Sequence, residues 1–247
     1  MALTARPHDL LRLTAAALDG TPPAWAAEAL AACPWGVVRR APHPPGLIPV
    51  GVRGPERRQR HAALVPASEV TRTVPPEALR NRRPRLPHLA ATLTAVARLL
   101  DGGARWDPTG STDSELNGDP GRCPTGSVGL RLDGDARWGP TGSTGLELDG
   151  GARWGPTGGV GFELAAGWPA THPGSDLDLL IRAPRRLERP RAARLAAAFA
   201  ALPCRVDCQL ETPRGGVGLV EWARPSGPVM VRTDHGPELV DDPWAPA

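Results

Sequence analysis

The 247-residue chain has no lysine, no tyrosine, two phenylalanines and two methionines. Eight tryptophans are its only other aromatics, so a core has to be built mostly from Leu, Val and Ala. Without lysine, every basic side chain other than histidine is arginine, whose planar donor fork grips phosphates in pairs. Heavy use of Ala, Arg, Gly and Pro looks like GC-rich coding bias, so the missing lysine is not itself a functional sign. The net charge is only +3. That excess is too weak to argue for wrapping DNA or RNA, and it fits handling of a small anion. The N-terminus lacks a signal-type apolar stretch and no run of 18 apolar residues occurs, so a cytoplasmic, non-membrane protein is expected. Cys33, Cys123, Cys204 and Cys208 form no CxxC pair, which leaves a zinc site without support. Cys204 and Cys208 read as core thiols. The six histidines show no ligand spacing, and no GxSxG, Walker A or dinucleotide-binding fingerprint is present.

What is there divides into four stretches. Residues 1–85 form a first domain, with a helix over 23–32 and short strands over 36–40 and 47–53, separated by proline-rich turns. A basic cluster, Arg57-Arg58-Gln59-Arg60-His61, follows. Residues 86–103 are a helical connection, because Leu89, Leu93, Val96 and Leu100 fall on one helical face. Residues 104–151 are a tandem repeat. Thr-Gly-Ser begins at Thr109, Thr125 and Thr141, and Thr-Gly-Gly at Thr157, a 16-residue period without drift. The copies are rich in Gly, Asp and Pro and have little to bury, so a loop-like or disordered insert from tandem duplication is expected. A small β array is the competing reading.

Residues 152–247 carry an α+β pattern. Strands are predicted over 175–182, 205–211, 217–223 and 229–233. A helix is predicted over 188–202, with Leu195, Ala198, Phe199 and Leu202 as its stripe. Asp176 and Asp178 are two apart on the first of these strands, so both carboxylates leave by one face while Leu177, Leu179 and Ile181 leave by the other. Side-by-side carboxylates repel and stay ionised only beside a compensating cation. Mg²⁺ suits carboxylate oxygens supplemented by phosphate and water. Asp207 holds the equivalent polar position on the second strand. Upstream, Gly158-Gly159 opens a helix, where free backbone N–H groups bind phosphate.

A glycine turn, then Asp-x-Asp on a strand, then a third Asp on a later strand resembles the nucleotidyltransferase superfamily with the polymerase β-like palm. The flanking text is more specific. GGVGFELAAG, SDLDLLIRAP, RVDCQLETP, VEWAR and GPELVDDPW, with HDLL, VVRR, IPVGVRG and RRQRHAA nearer the N-terminus, resemble the phosphoribosyl-dephospho-CoA transferases of malonate decarboxylase (MdcG type, holo-acyl-carrier-protein synthase). The resemblance covers residues 6–100 and 152–245.

It implies an α+β fold: a small N-terminal α/β domain, then a palm-like catalytic domain with a mixed sheet. It also implies transfer of the phosphoribosyl-dephospho-CoA group from triphosphoribosyl-dephospho-CoA to a serine of the acyl carrier protein of malonate decarboxylase. Diphosphate leaves. Asp176, Asp178 and Asp207 would hold Mg²⁺, with Asp207 at a second metal or activating the serine. Gly158 and Gly159 would cradle phosphates. Arg182, Arg53, Arg58 and Arg60 are candidates for donor phosphates or for the acidic carrier protein, and exposed charge is the plainer reading of each. One departure stands out. The family turn reads Gly-Ser, and here the copy in register reads Gly158-Gly159. A lost hydrogen bond to a charged phosphate costs about 1.5–3 kcal/mol, or roughly one to two decades in rate. A catalytically impaired carrier-binding homologue and a nucleotidyltransferase with another donor are the competing readings.

Overall fold

The computed structural model describes residues 5–18, 22–56, 58–101, 148 and 151–246. Cys123 and the repeat segment, apart from Leu148 and Gly151, fall outside the described residues.

Two sheets organise the chain. The first comprises β1 (Leu10–Leu13), β2 (Trp35–Val38), β3 (Leu47–Arg53), β4 (Arg60–Pro66) and β5 (Val70–Val74), in the order β4-β3-β2-β1-β5. Every pairing in it is antiparallel, so this half is α+β in character rather than α/β. One face packs on α1 (Ala24–Ala32) through Leu11, Leu13, Ala26, Leu30, Val50 and Val52. β1 and β5 are short, at four and five residues, and β4 is mostly exposed, so none of the three shows a readable pattern in the sequence. The exposed edge strand β4 buries Val65 fully but little else, so its alternation is weak.

The second sheet comprises β6 (Arg153–Pro156), β7 (Leu177–Arg182), β8 (Val206–Thr212), β9 (Gly215–Gly218), β10 (Val229–Thr233) and β11 (Gly236–Val240), in the order β11-β10-β9-β8-β7-β6. It is mixed: β7 and β8 are parallel and the other pairs antiparallel. The parallel pair is joined through α4 (Arg189–Ala200), the crossover a parallel connection requires. Behind this sheet lie α2 (Pro87–Leu100) and α4. Leu89, Leu93, Val96 and Leu100 meet Leu177, Leu179, Ile181, Leu195 and Phe199 in the largest core cluster.

The expected strand over 217–223 is corrected. Only β9 is extended there, and Leu219–Trp222 form a short helix, α5. Leu219 and Trp222 are three apart and both fully buried, which is helical spacing. The Trp222 indole then donates to the Leu187 carbonyl at 2.6 Å.

The first sheet lies over the polar face of the second. Gly155 on β6 makes this possible, because a Cβ there would overlap the Pro76 carbonyl. A third cluster, Leu10, Trp35, Val74, Leu79 and Phe162, fills the seam. Leu180, on the same face of β7 as Asp178, is therefore 1% exposed.

Candidate active site

The parallel pair of β7 and β8 begins at the N-terminal end of both strands. There Asp178 and Asp207 are direct register partners on β7 and β8. Asp176 lies just before β7, exposed, and meets Arg205 at 3.8 Å. The alternation expected from the sequence holds: Leu177, Leu179 and Ile181 are buried, Asp178 is half-buried and Asp207 exposed.

Against this pair stands the start of α3 (Gly158–Ala166). Thr157 N donates to the Asp178 carbonyl at 2.9 Å, tying the turn to the strand. Gly158 has φ +57°, and any Cβ there would overlap the Asp178 carboxylate. The position thus requires glycine for conformation and for space. Gly159 differs. Its φ is ordinary, and a Cβ would meet Ala170 O at 3.4 Å, Thr171 Cγ2 at 3.7 Å and Arg53 Nη1 at 3.8 Å, all normal contacts.

Arg53 on β3 thereby reaches the turn from the first sheet. Its cross-strand partner is Arg60 on β4. Burial pushes the Asp178 carboxyl above the usual carboxylate range, and the charges of Asp207 and Asp176 push the same way. Arg53 and Arg60 oppose them. Asp178 therefore feels the charges of Asp176 and Asp207 from its own half of the chain and of Arg53 and Arg60 from the first sheet.

Residues 148–243 match the pattern described as the phosphoribosyl-dephospho-CoA transferase MdcG C-terminal domain, and residues 6–76 match its N-terminal domain. The chain belongs to this transferase family. Proteins named phosphoribosyl-dephospho-CoA transferase are similar along nearly its whole length. That of Azotobacter vinelandii is 40% identical, covering 98% of this chain and 95% of the relative. That of Pseudomonas putida is 38% identical over 97% and 95%, and that of Klebsiella pneumoniae 36% over 99% and 98%. No solved structure matches. Within the MdcG family match, the three aspartates and both glycines fall in the C-terminal part, and Arg53, Arg58 and Arg60 in the N-terminal part.

Two of the expected phosphate ligands stand elsewhere. Arg182 closes the far end of β7 and is 7% exposed. Its guanidinium is committed to Asp9 at 2.8 Å, Glu77 at 2.8 Å and the Pro7 carbonyl at 3.1 Å. It is a buried joint between the two sheets, and its donors are engaged within the fold. Arg58 lies on the β3–β4 turn with its side chain 86% exposed, paired with Glu56 at 2.7 Å.

The sequence reading missed Glu163 on α3. Its Oε2 accepts from Thr171 Oγ1 at 2.7 Å and from the Thr171 and Ala170 amides at 3.2 Å. Burial acts to raise its carboxyl pKa, but these hydrogen bonds outweigh it and hold the value low. Glu163 so fastens the loop that packs on Gly159 and leads into Asp176. The available signal was one acid inside the apolar run GGVGFELAA. A buried acid must be hydrogen-bonded.

Proposed function

We propose that this chain transfers the phosphoribosyl-dephospho-CoA group from its triphosphate precursor to a serine of the acyl carrier protein of a malonate decarboxylase. The observation that carries the reading is the meeting of Asp178 and Asp207 with the Gly158 turn under Arg53 and Arg60. The relatives' printed names supply the group transferred. The arrangement fits a nucleotidyltransferase palm.

The donor set suits a divalent cation. It consists of hard carboxylate oxygens, and burial, with the charges of Asp207 and Asp176 added to it, raises the Asp178 carboxyl. Among the described residues no three His, Cys, Asp or Glu side chains stand close enough to cage a metal as they are. Closing the set needs Asp176 to swing from Arg205, an exposed pair of small worth. Asp176, Asp178 and Asp207 would hold Mg²⁺, which offsets negative charge on the triphosphate and the leaving diphosphate.

The chain's own residues do the rest. The amides at Gly158 and Gly159 and the guanidiniums of Arg53 and Arg60 bind the phosphates and orient the reacting phosphorus. The serine oxygen attacks the phosphorus nearest the ribose, and its bond to the bridging oxygen breaks. Diphosphate leaves with the electron pair. Asp207, the exposed carboxylate of the pair, accepts the serine proton. Arg58, projecting into solvent, is placed for the acidic carrier protein rather than for the donor.

The test is mass spectrometry of the carrier protein after incubation with donor and Mg²⁺. The carrier gains the mass of the phosphoribosyl-dephospho-CoA group with the wild-type chain. With Asp178→Asn the rate falls by about 10³-fold or more, the size seen when charge stabilisation of a transition state is removed. An undiminished rate in that variant removes Asp178 from the mechanism.

A further inference from the structure

A second pair of arginines faces the same way as Arg53 and Arg60. Arg12 on β1 is the direct register partner of Arg72 on β5 and of Trp35 on β2. Following the registers across the sheet (Leu10 to Val37, Val37 to Gly51, then two residues on to Arg53) puts both arginine pairs on one face. Like charges directly opposite on neighbouring strands destabilise a sheet. Arg12 and Arg72 are exposed and, among the described residues, have no ion-pair or side-chain hydrogen-bond partner. They line a cavity of about 330 Å³ together with Trp35, Cys33, Ala166 and Trp168. Trp168 lies just past α3 and is 47% exposed, a large indole left half open.

The spacing ties this cavity to the aspartates. The two arginine pairs are separated by three strand steps, roughly 14 Å at ~4.8 Å per step. α3 begins at the Gly158 turn, and Ala166 at its other end lines the cavity. Its nine residues span about 13 Å. The two estimates agree.

We propose that this cavity binds the adenosine diphosphate portion of the dephospho-CoA half of the donor, an inference resting on the transfer reading above. The diphosphate lies between Arg12 and Arg72, where paired guanidinium donors match phosphate oxygens. The adenine stacks on Trp168, as bases do on exposed aromatics. The triphosphate then reaches along α3 to the Gly158 turn. One face of the first sheet thus grips the donor at two anionic points.

The probe is dephospho-CoA, which lacks the triphosphoribosyl group, titrated calorimetrically into the full-length protein. Affinity falls at least tenfold in Arg72→Ala and in Trp168→Ala, and it stays unchanged in Met230→Ala, an exposed side chain on β10. ADP, which unlike dephospho-CoA has no thiol to consume the reagent, also slows alkylation of Cys33 in the wild type and not in Arg72→Ala. Far-UV circular dichroism confirms the fold of these exposed-site variants. Wild-type affinity retained in both cavity variants overturns the proposal, as does failure of the wild type to bind. Weakened carrier-protein binding with unchanged dephospho-CoA affinity also overturns it, and makes the cavity a carrier surface. Binding through Arg72 and Trp168 without any transfer to the carrier leaves the subsite standing and sinks the transfer reading instead.

Discussion

The two ends of β7 treat charge in opposite ways. At the C-terminal end Arg182 is buried with Asp9 and Glu77, its donors used on two carboxylates and a carbonyl. At the N-terminal end Asp178 is half-buried beside two further carboxylates, and its counter-charges Arg53 and Arg60 come from another sheet. One end has compensated its charges internally. The other draws its compensation from Arg53 and Arg60 on another sheet and from the exposed pair of Arg205 with Asp176. A buried, satisfied cluster fixes the position of one sheet on another. A cluster compensated only by exposed or distant charges leaves its carboxylates free to exchange partners. Both ends are needed, because the joint at Arg182 sets where Arg53 and Arg60 stand.

The largest expected effect breaks the joint. Arg182→Met leaves Asp9 and Glu77 with only the half-exposed Arg6, 3.5 Å from Glu77, as a cation, and breaking a buried pair in this way costs about 3–5 kcal/mol. Denaturant titration measures it. Adding Asp9→Asn and Glu77→Gln to the same chain recovers much of the loss, since uncompensated charge is its cause. A loss below about 1 kcal/mol in the single variant would mean that the joint is ornamental and the two ends are not different in kind.

A smaller effect sharpens the other end. Gly159→Ser has room for its Cβ, and a hydroxyl there stands beside Arg53 at the phosphate turn. It is expected to speed transfer to the carrier roughly tenfold, the lower end of what a hydrogen bond to a charged group contributes. Gly158→Ser is expected to abolish transfer, because its side chain overlaps the Asp178 carboxylate. Equal behaviour of the two variants in the transfer assay would show that the turn does not meet phosphate.

These two ends were not equally legible in the sequence. Strand alternation put Asp178 and Asp207 each on the polar face of its own strand, and the parallel register of β7 and β8 makes the two direct partners. α2 and β3 were readable because Leu89, Leu93, Val96 and Leu100 repeat at helical spacing and β3 is apolar from Leu47 to Val52. The role of Arg182 was not legible. Its partners lie 105 and 173 residues away, and nothing local distinguishes a buried arginine from an exposed one. The same holds for Arg53, whose place beside Gly159 depends on how the sheets stack. Residues 217–223 misled because Val217, Leu219 and the aromatic Trp222 favour a strand locally, while tertiary burial of Trp222 selects a turn of helix.

The smallest expected effect concerns acid. His8 precedes Asp9 at the joint, in a left-handed conformation (φ +73°), and accepts from Gln209 Nε2 at 2.9 Å through its own Nε2. Burial lowers its pKa from 6.5 to about 4, aided by the charges of Arg40, Arg182 and Arg232. The unfolded chain therefore takes up a proton between these values that the folded chain refuses. Stability from the neutral imidazole is complete above about pH 6.5 and is lost as pH falls toward about 4. Asp9 acts with the opposite sign. Burial raises its carboxyl, with Glu77 adding to the rise against the amide of Arg6 and the charges of Arg182 and Arg6, so protonating it on acidification favours the fold. His8→Asn isolates the histidine, since both proteins keep Asp9 and asparagine tolerates positive φ. At pH 7 the two proteins should unfold at nearly the same denaturant concentration. At pH 5 the wild type should have lost more of its stability than the variant. Parallel losses in both would mean that the joint accommodates a further cation, and that its charges are less completely matched than those three short contacts to Arg182 imply.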